Sequence, residues 1–209
     1  MRRYPLFLVI LFMFSFSYGI AQEYETVSES RKTNLISILN YRYKGGFYTL
    51  EKHFNNSVSF PEVAKYNCRV GICIASIYID CEGVLQKVSL KNPLRLGIDE
   101  EISNFFNSTA GNWNTCDDER YMKFDIPIQF TLSGTETNAT DALLIHVGEG
   151  VPGQPCNSDE YYLTKVEKLL KEKNGKKAMQ YINILIRRAP YNNKYYEMKK
   201  EAMGYMEKK

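Results

Sequence analysis

Two histidines and five cysteines are the residues whose types could do chemistry here, and their spacing argues against most of it. Structural zinc needs about four clustered ligands. His53 and His146 lie far apart in sequence, and no Cys-x-x-Cys occurs. Ser/His/Asp catalysis needs a histidine held by partners, and neither histidine sits in a local motif. His53, beside Phe54 on an amphipathic run, reads as a boundary residue. Cys73 is a thiol nucleophile by type only. It lies inside the apolar run over 72–79, where a cysteine behaves as a small buried hydrophobe. The expectation is a protein that is not an enzyme, with no catalytic residue, metal, cofactor or small-molecule substrate.

The chain opens with Arg2 and Arg3, an apolar stretch over 6–16 and Gly19-Ile20-Ala21. That is the pattern of a secretory signal peptide over 1–21, cleaved between Ala21 and Gln22. The alternative is an uncleaved anchor, since the apolar run approaches spanning length. Export permits disulfides, and an odd number of cysteines leaves at least one thiol outside intramolecular pairs. Residues 22–156 carry a net charge of −5 and residues 157–209 a net of +6. For an exported chain the basic tail implies solvated helix faces, an acidic partner or a membrane surface, and no nucleic acid.

The elements that position these residues follow from periodicity. Residues 22–43 form a lead-in whose Leu35, Ile36, Ile38 and Leu39 predict a helix, broken by Gly45-Gly46. Leu50, Phe54 and Val58 then mark an amphipathic helix over 47–58, closed by Pro61. The run over 72–79 is apolar on both faces, as in a central strand. Cys73, Ala75, Ile77 and Ile79 share one face, and Ile72, Ile74, Ser76 and Tyr78 the other. Asp80-Cys81-Glu82-Gly83 is hairpin-turn chemistry leading into a second strand through Val84, Val88 and Leu90. Asp99, Glu100 and Glu101 suit the first turn of a helix that buries Ile98, Ile102, Phe105 and Phe106. The third strand, 120–132, alternates: Met122, Phe124, Ile126, Ile128, Phe130 and Leu132 against a wet face. Pro127 belongs on an edge or at a bulge.

The expected fold is α+β: a small antiparallel three-stranded sheet, order 2-1-3, with helices packed on it and the third strand as an open edge. Residues 133–157 have linker composition, and 158–209 predict three helical segments. Within the linker, the apolar island over 142–147 offers a rival arrangement, folding back as a fourth strand. This topology returns the chain beside the first turn before strand three, so a Cys81–Cys116 disulfide is expected. Cys68 and Cys156 are then the remaining candidate pair, and Cys73 a buried thiol. The alternative leaves all five as thiols, since the compartment permits oxidation without forcing it.

Residues 44–132 resemble the C-terminal domain of TonB, the energy transducer of the Gram-negative envelope. The resemblance rests on the order Gly45-Gly46, Phe60-Pro61-Glu62-Val63-Ala64, Gly71, Asp80 to Gly83, Gly97-Ile98-Asp99-Glu100-Glu101, Trp113 and Pro127-Ile128-Gln129-Phe130-Thr131-Leu132. It implies a periplasmic adaptor that pairs an edge strand with a protein partner such as an outer-membrane receptor or its N-terminal box. The binding residues would be Arg120, Tyr121, Lys123, Asp125, Pro127, Gln129 and Thr131 on the strand, with Phe60 and Pro61 in the box. A homodimer through the same edge is a further possibility. The alternative is a membrane-anchored energy transducer. Only about twenty residues separate Ala21 from Lys44, where the transducers carry a long Pro-rich spacer. In the tail, Tyr162, Leu169, Ala178, Ile182, Leu185 and Pro190 fall at tetratricopeptide-like spacing, restarting at Tyr196 and Met203. A plain helical hairpin packed on the first domain is the other reading of the tail.

Overall fold

A computed structural model of the chain describes residues 28–137, 139 and 141–207. The expected signal peptide, its cleavage site and the first residues of the lead-in lie outside the described residues. Helix α1 covers 28–42 and buries Leu35 and Leu39. Gly45, at φ 84°, turns the chain into α2, Gly46–Ser57, whose Leu50 and Phe54 are fully buried. Pro61, extended at φ −60°, caps the short α3, Glu62–Tyr66.

The sheet begins with β1, Gly71–Ile79, and β2, Leu85–Lys91, joined as an antiparallel hairpin. Its turn is closed by Asp80, whose amide donates to the Val84 carbonyl (3.1 Å) and whose carboxylate accepts from the Val84 amide (2.8 Å). Gly83 takes φ 84° there, a conformation that glycine adopts without strain. Helix α4, Ile98–Ser108, carries Asp99, Glu100 and Glu101 in its first turn and buries Ile98, Ile102, Phe105 and Phe106. After a 3₁₀ turn at Glu119–Tyr121, strand β3, Lys123–Leu132, pairs antiparallel with β1. One face of β1 and β3 (Cys73, Ala75, Ile77 and Ile79 with Phe124, Ile126, Ile128 and Phe130) packs into a core shared with α1, α2 and α4.

The expected three-stranded antiparallel sheet is corrected here. The sheet has four strands, order β2-β1-β3-β4, and is mixed, because β4, Leu144–Gly148, runs parallel to β3. A parallel neighbour needs a connection long enough to carry the chain back along its partner, and the eleven residues 133–143 supply it. Their Ser, Gly, Thr and Asn content reads as a linker, yet Ala142, Leu143 and Leu144 are buried and anchor the strand. Strand β3 is therefore interior over Ile128–Leu132. Pro127 fits because its carbonyl, accepting from the Leu143 amide (2.8 Å), points toward the β4 side. The N–H it lacks would face the same side just before β4 pairing begins, so no ladder bond is lost.

The tail forms α5, Asp159–Lys171, α6, Gly175–Arg188, and α7, Asn193–Glu207, each packed on the next. Its core holds Val166, Leu170, Ala178, Ile182, Leu185, Tyr195 and Ala202. Ala178, Ile182 and Leu185 are the inward residues that the spacing predicts. In α7 the inward register is one residue earlier than predicted: Tyr195 and Ala202 are buried, while Tyr196 and Met203 are exposed. The tail packs onto the sheet through α6 and Tyr191, which cover Ile72, Ile74 and Ala142.

Two disulfides staple the body. Cys81–Cys116 links the β1–β2 turn to the segment before β3, and Cys68–Cys156 ties the start of β1 to the segment after β4. Cys73 is a buried free thiol. Beside the first bridge lies a residue that periodicity does not reveal. Arg42, with none of its surface exposed, donates to the carbonyls of Asn114 (2.6 Å), Asp80 (2.7 Å) and Ile79 (3.3 Å). It closes carbonyls of two loops that the hairpin leaves unpaired.

Candidate functional site

The sheet has two edges, β2 and β4, and β4 is the one that exposes Ile145 and Val147. The Ser133 amide, which donates to the Gly148 carbonyl (2.8 Å), fixes which side of β4 the Gly148 polar groups face. N–H and C=O of one residue point to the same side of a strand and alternate along it. Gly148, His146 and Leu144 therefore turn their polar groups toward β3, and Ile145 and Val147 turn theirs outward. The side chains alternate on the perpendicular axis. Leu144 and Gly148 are buried on the core side, with Phe60 packed on Gly148. Ile145 is 50% and Val147 60% exposed. Two β-branched apolar side chains beside unpaired backbone groups form a template for a further strand.

His146 is held at the inner side of this strand between aromatic rings, 5.3 Å from Phe130, 6.2 Å from Phe60 and 6.3 Å from Phe54. Burial lowers its pKa below the ordinary histidine value, with Lys65 acting in the same direction and Glu101 opposing. A neutral imidazole is the form this site favours. His53 is far from it in role: its Nδ1 meets the Tyr43 hydroxyl (3.2 Å), and its ring packs edge-on to Phe105 at 5.2 Å. Burial pushes the Cys73 thiol up to about 12, and Asp99 adds to the shift. Its Sγ lies 3.7 Å from the Lys91 carbonyl. These three groups are occupied by packing and local hydrogen bonds. Among the described residues no group of three His, Cys, Asp or Glu side chains could hold a metal ion.

The residues proposed from the sequence do not form one surface. Arg120 and Tyr121 lie in the 3₁₀ turn, outside the strand. Arg120 pairs with Asp118 (2.6 Å), and Tyr121 packs edge-on to Tyr41 at 5.1 Å. The face expected to be wet is partly covered by the tail: Pro127 and Gln129 are buried, and the Gln129 amide donates to Thr137 (3.1 Å). Asp125 pairs with Lys91 (2.7 Å) and accepts from the Ser76 hydroxyl. Burial works to raise its pKa, but those hydrogen bonds and Lys91 and Lys123 hold it below the usual carboxylate value. Thr131 is half-buried beneath β4 pairing. Lys123 stays exposed and joins Ser76, Tyr78, Lys87 and Ser89 around a shallow hollow of about 290 Å³. Phe60 packs on Phe130 (5.4 Å), and the ring of Pro61 fills the space beside Gly97. Phe60 belongs to the core, and Pro61, half-buried, packs at its border.

Ile145 and Val147 lie in the apolar island over 142–147; the rival arrangement that folds this island back as a fourth strand is the one observed, and the sequence assigned no binding role to these two residues. The two disulfides fit an oxidising compartment. Among the described residues no helix is long and apolar enough to cross a membrane. No family model, no curated protein and no solved structure matches this chain.

Proposed function

We propose that this protein is a non-catalytic adaptor of the Gram-negative periplasm that takes an extended segment of a partner protein as a fifth strand along β4. The TonB-like order of motifs supports strand addition as the mode and an envelope receptor segment as the partner. The observation that carries the proposal is the outer edge of β4, where Ile145 and Val147 expose their side chains and turn their backbone groups away from β3. Five residues at ~3.3 Å each span about 17 Å, a length that suits a short peptide. A second copy of this chain is a poorer occupant, because a stable dimer buries about 800 Å² per partner and a five-residue edge offers far less. Backbone pairing would supply affinity, and pockets for alternate side chains would supply register.

The test uses Val147→Pro and Ile145→Lys. The Val147 N–H faces outward, so proline there removes a donor to the partner while leaving the β3–β4 ladder intact. A photo-crosslinker placed at Glu149 in the full chain identifies the partner segment in envelope fractions, and the matching synthetic peptide is then titrated calorimetrically. The proposal expects an extended segment whose peptide binding is lost in both variants. Crosslinks to a second copy of this chain, or peptide affinity unchanged in both folded variants, would refute it.

A further inference from the structure

Where the tail meets the sheet, the chain gathers arginines from three separate elements. Arg69 lies just before β1, Arg95 in the loop between β2 and α4, and Arg187 in the last turn of α6. The backbone brings the three elements together. The Asn92 side chain donates at once to the Ile72 carbonyl (2.6 Å) and the Arg187 carbonyl (2.9 Å). Gly71 packs so closely on α6 that a Cβ there would stand 2.5 Å from the Arg187 oxygen. The Cys68–Cys156 bridge fixes the residue next to Arg69. Arg188, the fourth arginine, has a carboxylate partner: it is fully buried, paired with Asp159 (2.7 Å) and stacked on Tyr162 at 4.9 Å, although its Nε too has no acceptor.

The other three have no such partner. Among the described residues, no carboxylate pairs with Arg69, Arg95 or Arg187. The Nε atoms of Arg69 and Arg187 are buried without a hydrogen-bond acceptor. Burial and then the neighbouring Arg69, Arg188 and Arg95 charges lower the Arg187 pKa to about 10, with Tyr162 opposing. The loop that carries Arg95 holds Asn92, Arg95 and Leu96 at φ 53°, 64° and 55°, in the left-handed region. A helix C-terminus accounts for positive charge on Arg187 and Arg188. It does not account for Arg69 and Arg95, which other elements bring to the same place. Like charges gathered and partly desolvated without an anion are unfavourable.

We propose that Arg69, Arg95 and Arg187 form a binding site for a phosphate group, presented by a free phosphate or by an anionic lipid headgroup. Guanidinium groups match phosphate oxygens in forked, charge-assisted hydrogen bonds. A dianion compensates three cations better than a single carboxylate does. The site lies at the tail–sheet junction, whereas β4 lies at the sheet edge, so it is independent of the adaptor reading. Occupancy would clamp the tail to the sheet, because the ligand would bridge α6 to the two loops of the body.

The purified full chain is titrated calorimetrically with inorganic phosphate at constant ionic strength, and its melting is followed in phosphate and in chloride. Arg95→Gln and Arg69→Gln are the test variants. Arg95 is exposed, so its variant keeps the fold. Lys176→Gln, an exposed tail lysine, is the control. Phosphate binding and a raised melting temperature are expected, with affinity about tenfold weaker or more in each arginine variant and unchanged in Lys176→Gln. Sedimentation with phosphatidylglycerol vesicles, against phosphatidylcholine alone, separates the sources. Retention that depends on Arg95 assigns a lipid headgroup, and phosphate binding without retention assigns a free phosphate. Neither binding nor retention, equal weakening in Lys176→Gln, or acetate competing as well as phosphate would overturn the site.

Discussion

Replacing Arg42 by methionine isolates the contribution of one buried guanidinium. Methionine keeps much of the apolar stem packing and removes the charge. Three carbonyls lose a donor: those of Asn114, Asp80 and Ile79. The bonds to Asn114 and Asp80 are only partly buried, so water can replace the guanidinium at those two oxygens. The bond to Ile79 is buried, and a dry unsatisfied carbonyl costs about 1–3 kcal/mol. Hydrogen bonds to a charged donor contribute ~1.5–3 kcal/mol each. Against this, methionine avoids the cost of burying a charge, which lowers the Arg42 pKa despite the opposing Tyr41 and Asp80 interactions. The net loss is roughly 3 kcal/mol. With a urea m-value of about 2 kcal/mol/M, the midpoint falls by about 1.5 M at constant m. The Cys81–Cys116 bridge restrains the same two loops, since the Cys116 amide donates to the Cys81 carbonyl (2.9 Å). A double-mutant cycle with Cys81→Ala/Cys116→Ala should therefore show a coupling of at least about 0.5 kcal/mol. Urea unfolding followed by circular dichroism reads both quantities. A loss below about 1 kcal/mol, or strict additivity with the bridge, would refute the assignment of Arg42 as the clamp of these loops.

Three further outcomes are expected. The Cys68–Cys156 loop closes over 88 residues and Cys81–Cys116 over 35, so the chain-entropy model gives about 4.6 and 3.8 kcal/mol. Cys68→Ala/Cys156→Ala should thus melt no higher than Cys81→Ala/Cys116→Ala, and the reverse order by scanning calorimetry would contradict that account. Cys73, with its thiol pushed up to about 12, should resist iodoacetamide at pH 8 in the folded protein and react fully in urea, which peptide mass mapping resolves. The folded pKa of His146 is depressed, so the unfolded chain takes up a proton near the ordinary 6.5 that the folded chain refuses. Stability should fall as pH drops from about 7.5 to 5.5, and His146→Gln should flatten that slope; an unchanged slope would show that other groups set it.

Local chemistry made much of the body legible in the sequence. The Asp80–Gly83 turn, the two-faced run that became β1, the acidic start of α4 and the inward alternation of β3 are each decided by residues within a few positions of one another. Cys81 and Cys116 could be paired because a hairpin and one returning helix leave few places for them to go. Function was less legible, because periodicity shows which face is apolar but not what will cover it. The wet face of β3 lost Pro127 and Gln129 to burial once the tail and β4 closed over it, and the open edge moved one strand outward to Ile145 and Val147. Five residues carry too weak a pattern to announce a parallel strand. Their pairing is won by long-range burial of Leu143 and Leu144 after an eleven-residue return. Likewise nothing local marks Arg42 as buried, or gathers Arg69, Arg95 and Arg187. Only the tertiary fold decides which carbonyls lack donors and which charges meet, because those relations join residues tens of positions apart.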